Sequence, residues 1–280
     1  MNRAMVFLSI ALICLIYGIG QSQWLETTIP VDSSPCAVVW NSQNNKVYSS
    51  NYGSDNVTVI DGATNSVITT VTVGDGPCAL VYNPTNNKIY CVNQYSDNVT
   101  IINGATDSVI TTVSVGSSSC ALVYNPINNK IYCANCNSDN VTVIDGATNI
   151  VITTIAVGDY PCALAYNPTG NKVYCGNYHS MGITVIDGAT NSVITNISLI
   201  SGPFALFDLD IGKLYCVTDT GVIILPAGTL IEGIHPRDID CNNVNNRVYF
   251  ANYDSNNVIV LDGTTNHVIA SVVVGDGPCA

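Results

Sequence analysis

The chain copies itself. A unit reading "PCALVYNPTNNKIYCVNQYSDNVTIINGATDSVITTVSVGSS" starts at Pro77, and its equivalents start at Pro35, Ser119, Pro161 and Pro203, each 42 residues from the last. The next unit starts at Pro236, only 33 residues on, and the 42-residue step returns at Pro278. A repeat of this length is one supersecondary unit that buries its apolar faces only against its neighbours. Within the unit, four short apolar runs alternate with turn signals: Cys78–Tyr82, Lys88–Val92, Val99–Ile102 and Val109–Val115. The breakers "NPTNN", "QYSDN" and "NGATDS" carry Asn-Pro and Asn-Gly steps, where Pro presets φ and Gly accepts a positive one. No stretch keeps a helical period. Four strands in about 42 residues predict an all-β fold, a β-propeller of four-stranded blades. The strands are apolar on both faces, as in "ALVY" and "VITTV". A blade sandwiched between two others needs that pattern.

Composition narrows the function. Of 280 residues, 47% are hydrophobic and only 10% charged, so Asn, Ser, Thr and Gly supply the polarity. The formal net charge of −12 opposes nucleic-acid binding, which draws its affinity from cations on phosphates. The opening "MNRAMVFLSIALICLIYGIGQS" has a basic Arg3, an apolar run from Met5 to Tyr17 and small Gly18 and Gly20. It reads as a secretory signal over residues 1–22, with the propeller over 24–280 and no transmembrane segment after cleavage. The expected localisation is secreted, periplasmic or cell surface. The end "VGDGPCA" at Val274–Ala280 repeats the junction at Val73–Ala79, and "LETTIPVDSSPC" at Leu25–Cys36 matches a last strand. These two ends predict a C-terminally truncated seven-bladed ring with six full repeats, in which Leu25–Val31 is an outer strand of the closing blade.

At "KIYCVN" (Lys88–Asn93) and "KIYCAN" (Lys130–Asn135), followed by "SDNVTVIDGATN" (Ser138–Asn149), the chain resembles the YVTN family of β-propeller repeats. The resemblance runs from Leu25 to the C-terminus and implies the propeller fold. It also implies a cell-envelope setting, since surface-layer propellers belong to that family. The unit at Pro203, "PFALFDLDIGKLYCVTDTGVIILPAGTLIEGIH", departs from the pattern by shortening its loops.

In such propellers the first-to-second and third-to-fourth turns share one face. Lys46, Lys88, Lys130, Lys172, Lys213 and Arg247 recur there, together with Asp61, Asp145, Asp187, Asp262 and His267. They are expected to form a solvated ring of weak ion pairs. The opposite, acidic loop face carries Asp55, Asp97 and Asp139 from one loop set, and His179 and His235 beside the short blade. These five are the candidate binding residues. The same Asp residues also make turns. No cofactor is required by any motif, and Ca²⁺ or another divalent cation is the one ligand an acidic rim suggests.

Cysteines recur in pairs, Cys78 with Cys91, Cys120 with Cys133, and Cys162 with Cys175. A hairpin centred between Pro84 and Thr85 would oppose the first pair, and the same register the others. Directly opposed Cβ atoms lie about 4.5–5.5 Å apart, near the reach of a disulfide. Three intra-blade disulfides are therefore expected, with small buried thiols as the alternative. "CANC" at Cys133–Cys136 lacks the following His that haem attachment needs. "NVT" at Asn56, Asn98 and Asn140, and "NIS" at Asn196, match the glycosylation sequon. No nucleophile elbow, zinc-protease helix or phosphate loop appears. The functional expectation is an exported cell-envelope propeller that acts as a binding or structural module for a protein or cell-surface glycan, with no identifiable catalytic site. The rival is a metal-dependent lyase or hydrolase with its site on the acidic face.

Overall fold

The computed structural model describes residues 27–209, 213–232, 234, 236–242 and 244–278. The chain divides into two units, Met1–Pro30 and Val31–Ala280. Of the first, residues 27–30 are described and carry no regular secondary structure. The leader expected over residues 1–22 lies outside the described residues, as do Leu25, His235 and Cys279. The outer strand expected over Leu25–Val31 is not formed at residues 27–31.

The second unit is all-β. Its strands are β1 (Pro35–Asn41), β2 (Lys46–Asn51), β3 (Asn56–Asp61), β4 (Ser66–Thr72), β5 (Pro77–Asn83), β6 (Lys88–Asn93), β7 (Asn98–Asn103), β8 (Val109–Ser114), β9 (Ser119–Asn125), β10 (Lys130–Asn135), β11 (Asn140–Asp145) and β12 (Val151–Ala156). The second half continues with β13 (Pro161–Asn167), β14 (Lys172–Asn177), β15 (Gly182–Asp187), β16 (Val193–Ser198), β17 (Pro203–Leu209), β18 (Lys213–Thr218), β19 (Gly221–Leu225), β20 (Thr229–Glu232), β21 (Pro236–Asn242), β22 (Arg247–Asn252), β23 (Asn257–Asp262) and β24 (Val268–Val273). They form six four-stranded sheets, each in simple sequence order. These are the blades of a β-propeller, one for each full repeat. Successive first strands pack side by side, β1 on β5, β5 on β9 and so on to β21, as the innermost strands around the axis.

Period-two alternation builds the core between blades. On β6, Ile89 and Cys91 join Tyr48, Val57 and Val59 of blade one, while Tyr90 and Val92 join Ile131, Cys133 and Ile144 of blade three. Each such side chain, fully buried, is worth about 1.5–3 kcal/mol. Cys91, Cys133 and Cys175 are part of this packing.

The expected disulfides are corrected by the register. Leu80, not Cys78, opposes Cys91, because the hairpin loop is Pro84–Asn87 and the ladder slips between Pro77 and Ala79. The Asn83 side chain sets that loop by accepting bonds from Thr85 N and Asn86 N, and Asn87 closes it at φ 49. Cys78 is the bulged residue, and the same slip puts Cys120 and Cys162 on bulges. Their thiols turn to the following blade: Cys36 Sγ donates to Cys78 O, Cys78 to Ser119 O, Cys120 to Pro161 O and Cys162 to Pro203 O, at 3.4–3.6 Å. Cys36, Cys78, Cys91, Cys120, Cys133, Cys136, Cys162, Cys175 and Cys216 carry free thiols.

The lysine ring is corrected too. Lys88 Nζ donates to Gly146 O, Ala147 O and Asn149 Oδ1 of blade three at 2.8–2.9 Å, and Tyr90 OH reaches the same Gly146 O and Asn149 Oδ1. Lys130 and Tyr132 grip Gly188 and Asn191 of blade four in the same way. Lys46 and Tyr48 hold blade two, with Asp107 in place of Asn and the ammonium 2.6 Å from its carboxylate. In blades one to three the Lys-x-Tyr thus clamps the third-to-fourth turn of the next blade. Meanwhile Asp61, Asp145, Asp187 and Asp262 accept two N–H groups each from their own turns. A second inter-blade ladder runs beside the clamps: Asn41 donates to Asn87, Asn83 to Asn129, Asn125 to Asn171 and Asn167 to Asp208, at 2.8–2.9 Å.

Candidate functional site

Opposite the clamps, two positions of every blade meet at the inner end of the sheet. One is the bulged residue of the first strand: Cys36, Cys78, Cys120, Cys162, Phe204 and Arg237. The other follows the second strand: Tyr52, Gln94, Cys136, Tyr178, Asp219 and Tyr253. The backbone holds both in a common way. Tyr52 N, Gln94 N, Cys136 N and Tyr178 N each donate to the carbonyl of the residue just before the first strand, at 2.9–3.1 Å. The frame is therefore repeated while the side chains are not.

Where the cysteine gives way to Phe204 and Arg237, a cleft of about 380 Å³ opens, lined by Tyr178, Phe204, Asp219, Pro236, Arg237 and Asp254. Tyr178 OH donates to Asp219 Oδ2 at 2.6 Å, and that bond raises the phenol's pKa above its ordinary value. The Arg237 guanidinium carbon lies 5.4 Å from the Tyr253 ring centroid, a cation–π distance. Beside the cleft, His179 stacks on Tyr160 at 4.5 Å and on Tyr178 at 5.5 Å. Tyr160 holds φ 56, in the left-handed region a bulky side chain rarely enters. At the equivalent place in blade two stands Gly76 at φ 66, where an added Cβ would come within 2.8 Å of the Tyr95 ring. Across the mouth, Tyr52 and Tyr95 share a hydroxyl–hydroxyl bond that lifts the Tyr52 pKa to about 12.

This set can hold a polar ligand. Arg237 supplies donors, Asp219 and Asp254 supply acceptors, and Phe204 and Tyr178 supply aromatic rings. Burial lifts the Cys78 and Cys162 thiols to about 12, so they stay protonated at neutral pH and are poor nucleophiles or metal ligands. Among the described residues no three His, Cys, Asp or Glu side chains converge as a metal site.

The sequence-predicted residues fare unevenly. Asp55, Asp97 and Asp139 sit away from the cleft. Their carboxylates accept Gly76 N, Ser118 N and Tyr160 N at 2.8–2.9 Å, and each holds a left-handed φ, so they are turn-makers. His179 is at the rim. Asn98 of the second sequon is half-buried, donating to Ser96 O and accepting from Asn93. Sequence reasoning missed Arg237, Phe204 and the tyrosines. Aligning the units with one another shows Phe204 and Arg237 standing where four other units have cysteine, but the columns beside them vary as well, so the alignment does not single out the cleft.

A family model described as "Lactonase, 7-bladed beta-propeller" matches residues 19–120, which includes blades one and two. No curated protein matches. Among solved structures, a chain of Kuenenia stuttgartiensis hydrazine synthase is similar at TM-score 0.69 and 19% identity, over 94% of this chain and 92% of that one. A protein of unknown function from Desulfotomaculum acetoxidans reaches 0.72 at 13%, over 89% of each chain. A putative 6-phosphogluconolactonase from Bacteroides uniformis reaches 0.70 at 17%, over 87% and 86%. Likeness at this identity carries the fold, a β-propeller.

Proposed function

We propose that this chain is an exported, cell-envelope propeller of the YVTN repeat type that works as a binding module, with a glycan or a polar protein group seated in the Arg237 cleft. One observation carries the reading: the side chains that distinguish otherwise matching blades gather at the mouth and converge on one cleft. Flat rings beside paired acceptors and a guanidinium suit a sugar, whose apolar ring face stacks and whose hydroxyls need both donors and acceptors. Calorimetric titration with neutral and acidic oligosaccharides tests it. Saturable binding that weakens at least tenfold in Arg237→Ala and Asp219→Asn, but not in Lys172→Ala, supports the cleft. Binding indifferent to Arg237 and Asp219 would overturn it.

The family model and the putative lactonase neighbour favour a second reading, hydrolysis of a sugar lactone. Here Arg237 would polarise the ring carbonyl and Asp219 or Asp254 would activate water. Hydrolysis of δ-gluconolactone in a pH-stat, above the spontaneous rate and lost in Arg237→Ala, would establish it. The metal-dependent version of that reading also requires a bound divalent cation in elemental analysis of the purified chain.

A further inference from the structure

Arg237 stands outside the repeat. Every other described Lys or Arg starts a second strand: Lys46, Lys88, Lys130, Lys172, Lys213 and Arg247. Arg237 instead occupies the bulged column of β21, where Asp219 and Asp254 line the same cleft. Neither carboxylate neutralises it, since Lys46–Asp107 is the one ion pair among the described residues. The Tyr253 ring holds the guanidinium carbon at 5.4 Å. A planar guanidinium kept in a cleft without a charged partner suits a carboxylate, which it meets with two parallel N–H donors.

The cleft continues past Tyr178. That residue lines it and also belongs to a three-ring cluster in blade four. Its ring lies 5.5 Å from His179 and 6.3 Å from Tyr160, and Tyr160 and His179 are 4.5 Å apart at 32°. His179 is exposed. Tyr160 is strained: apart from Met181, every other described non-Gly residue at positive φ is Asn, Asp or Ser. The matching positions of the first three blades carry Ser34, Gly76 and Ser118, so the frame does not call for a ring here. A strained bulky side chain that the frame does not require marks a functional position.

We propose that the cleft and this ring cluster are two subsites for one extended acidic glycan, with a uronate carboxylate on Arg237 and the next sugar ring against Tyr160 and His179. The inference rests on the cleft being a glycan site and names the glycan it takes. Asp219 Oδ2 already accepts from Tyr178 OH at 2.6 Å, which leaves Oδ1 and the Asp254 carboxylate to accept sugar hydroxyls. A cleft of about 380 Å³ is small for an oligosaccharide, so a longer chain runs over the rim, and Tyr178 leads it onto the rings. A neutral sugar would leave the guanidinium without a charged partner, and a cationic one would be repelled by it. The net charge of −12 disfavours anions over the molecule as a whole, so recognition of an acid depends on this one residue.

The test is calorimetric titration of the full chain with galacturonic acid, tetragalacturonate and, as neutral counterpart, maltotetraose. Tetragalacturonate should bind at least about tenfold more tightly than maltotetraose, and Arg237→Ala should erase that difference. Arg237→Lys should restore only part of it, because an ammonium is a point charge. Tyr160→Gly should weaken tetragalacturonate about fivefold and leave galacturonic acid unchanged, and His179→Ala should do the same. Glycine suits φ 56, so Tyr160→Gly should not lower the unfolding midpoint, whereas a merely structural Tyr160 would lower it and weaken both ligands alike. Equal binding of tetragalacturonate and maltotetraose, both lost in Arg237→Ala, would overturn the acidic assignment and leave the cleft a glycan site. Tetragalacturonate affinity unmoved by Tyr160→Gly and His179→Ala would overturn the second subsite. Binding of none of the three overturns this inference, and the reading beneath it falls only if the wider oligosaccharide titration is also blank.

Discussion

Lys88 shows how one side chain joins two blades. Its ammonium makes three short bonds to a turn 58–61 residues away, and partial burial pulls its pKa below the ordinary lysine value. Hydrogen bonds to charged groups contribute about 1.5–3 kcal/mol, reduced where solvent screens them. Replacing Lys88 by Ala should therefore cost about 1–2 kcal/mol in denaturant unfolding. Lys172 is the internal control. It faces the blade with shortened loops and makes no such clamp among the described residues, so Lys172→Ala should cost less than about 0.5 kcal/mol. Equal losses at the two positions would sink the clamp argument. The recurrence of these lysines was plain in the sequence. Their partners were not, because acceptor carbonyls carry no residue identity, and the nearby aspartates offered a simpler pairing that the Asx turns pre-empt.

Turns and bulges govern the next scale. Asp145 accepts bonds from Thr148 N and Ala147 N, and these hold its carboxyl below the usual range; Asp61, Asp187 and Asp262 repeat the arrangement. A carboxyl whose folded pKa is depressed adds stability above its unfolded pKa, about 3.9, and loses it as pH falls through the folded value. Unfolding midpoints should accordingly fall as pH drops below about 4. Asp145→Asn should flatten that slope without changing the fold, since Asn103 already caps the equivalent turn with the same two bonds. A slope unchanged by the substitution would place the acid sensitivity elsewhere. The inner ladder makes a larger demand. Asn83 is fully buried and joins its own turn to Asn129 of the next blade. Asn83→Ala leaves buried donors and acceptors unpaired and should cost about 2–3 kcal/mol. Strand order and bounds were legible from apolar runs and turn residues, usually to within one residue. The register was not. A four-residue loop and a bulge after the proline each shift the pairing, and neither announces itself in a pattern of cysteines.

Stability of the whole molecule is a sum over neighbours, as in other repeat architectures. Blades one to four are joined by both arms of the clamp at each junction. Between blades five and six only the Lys213 arm is made, and Tyr215 OH is buried without a partner. Hydrogen exchange should then be slowest in β6 and β10, whose blades are clamped on both sides, and faster in β18 and β22. Uniform protection across all six second strands would refute this ranking. Blade one presents another boundary, with Val38 67% and Trp40 57% exposed on a face whose equivalents in blade two are half-buried. The propeller was readable because a period of 42 residues survives any local ambiguity, whereas the cleft depends on two columns whose meaning emerges only when six blades are superposed in space.

Every clamp points the same way, from a blade to its successor. On a ribosome this gives folding a built-in delay. When Lys88 and Tyr90 leave the exit tunnel, the turn they will grip ends 61 residues downstream and is not yet made. Blades one to three thus emerge incomplete, each finished by the next one, so nascent chains arrested after blade two should be markedly more sensitive to protease at β6 than chains arrested after blade three.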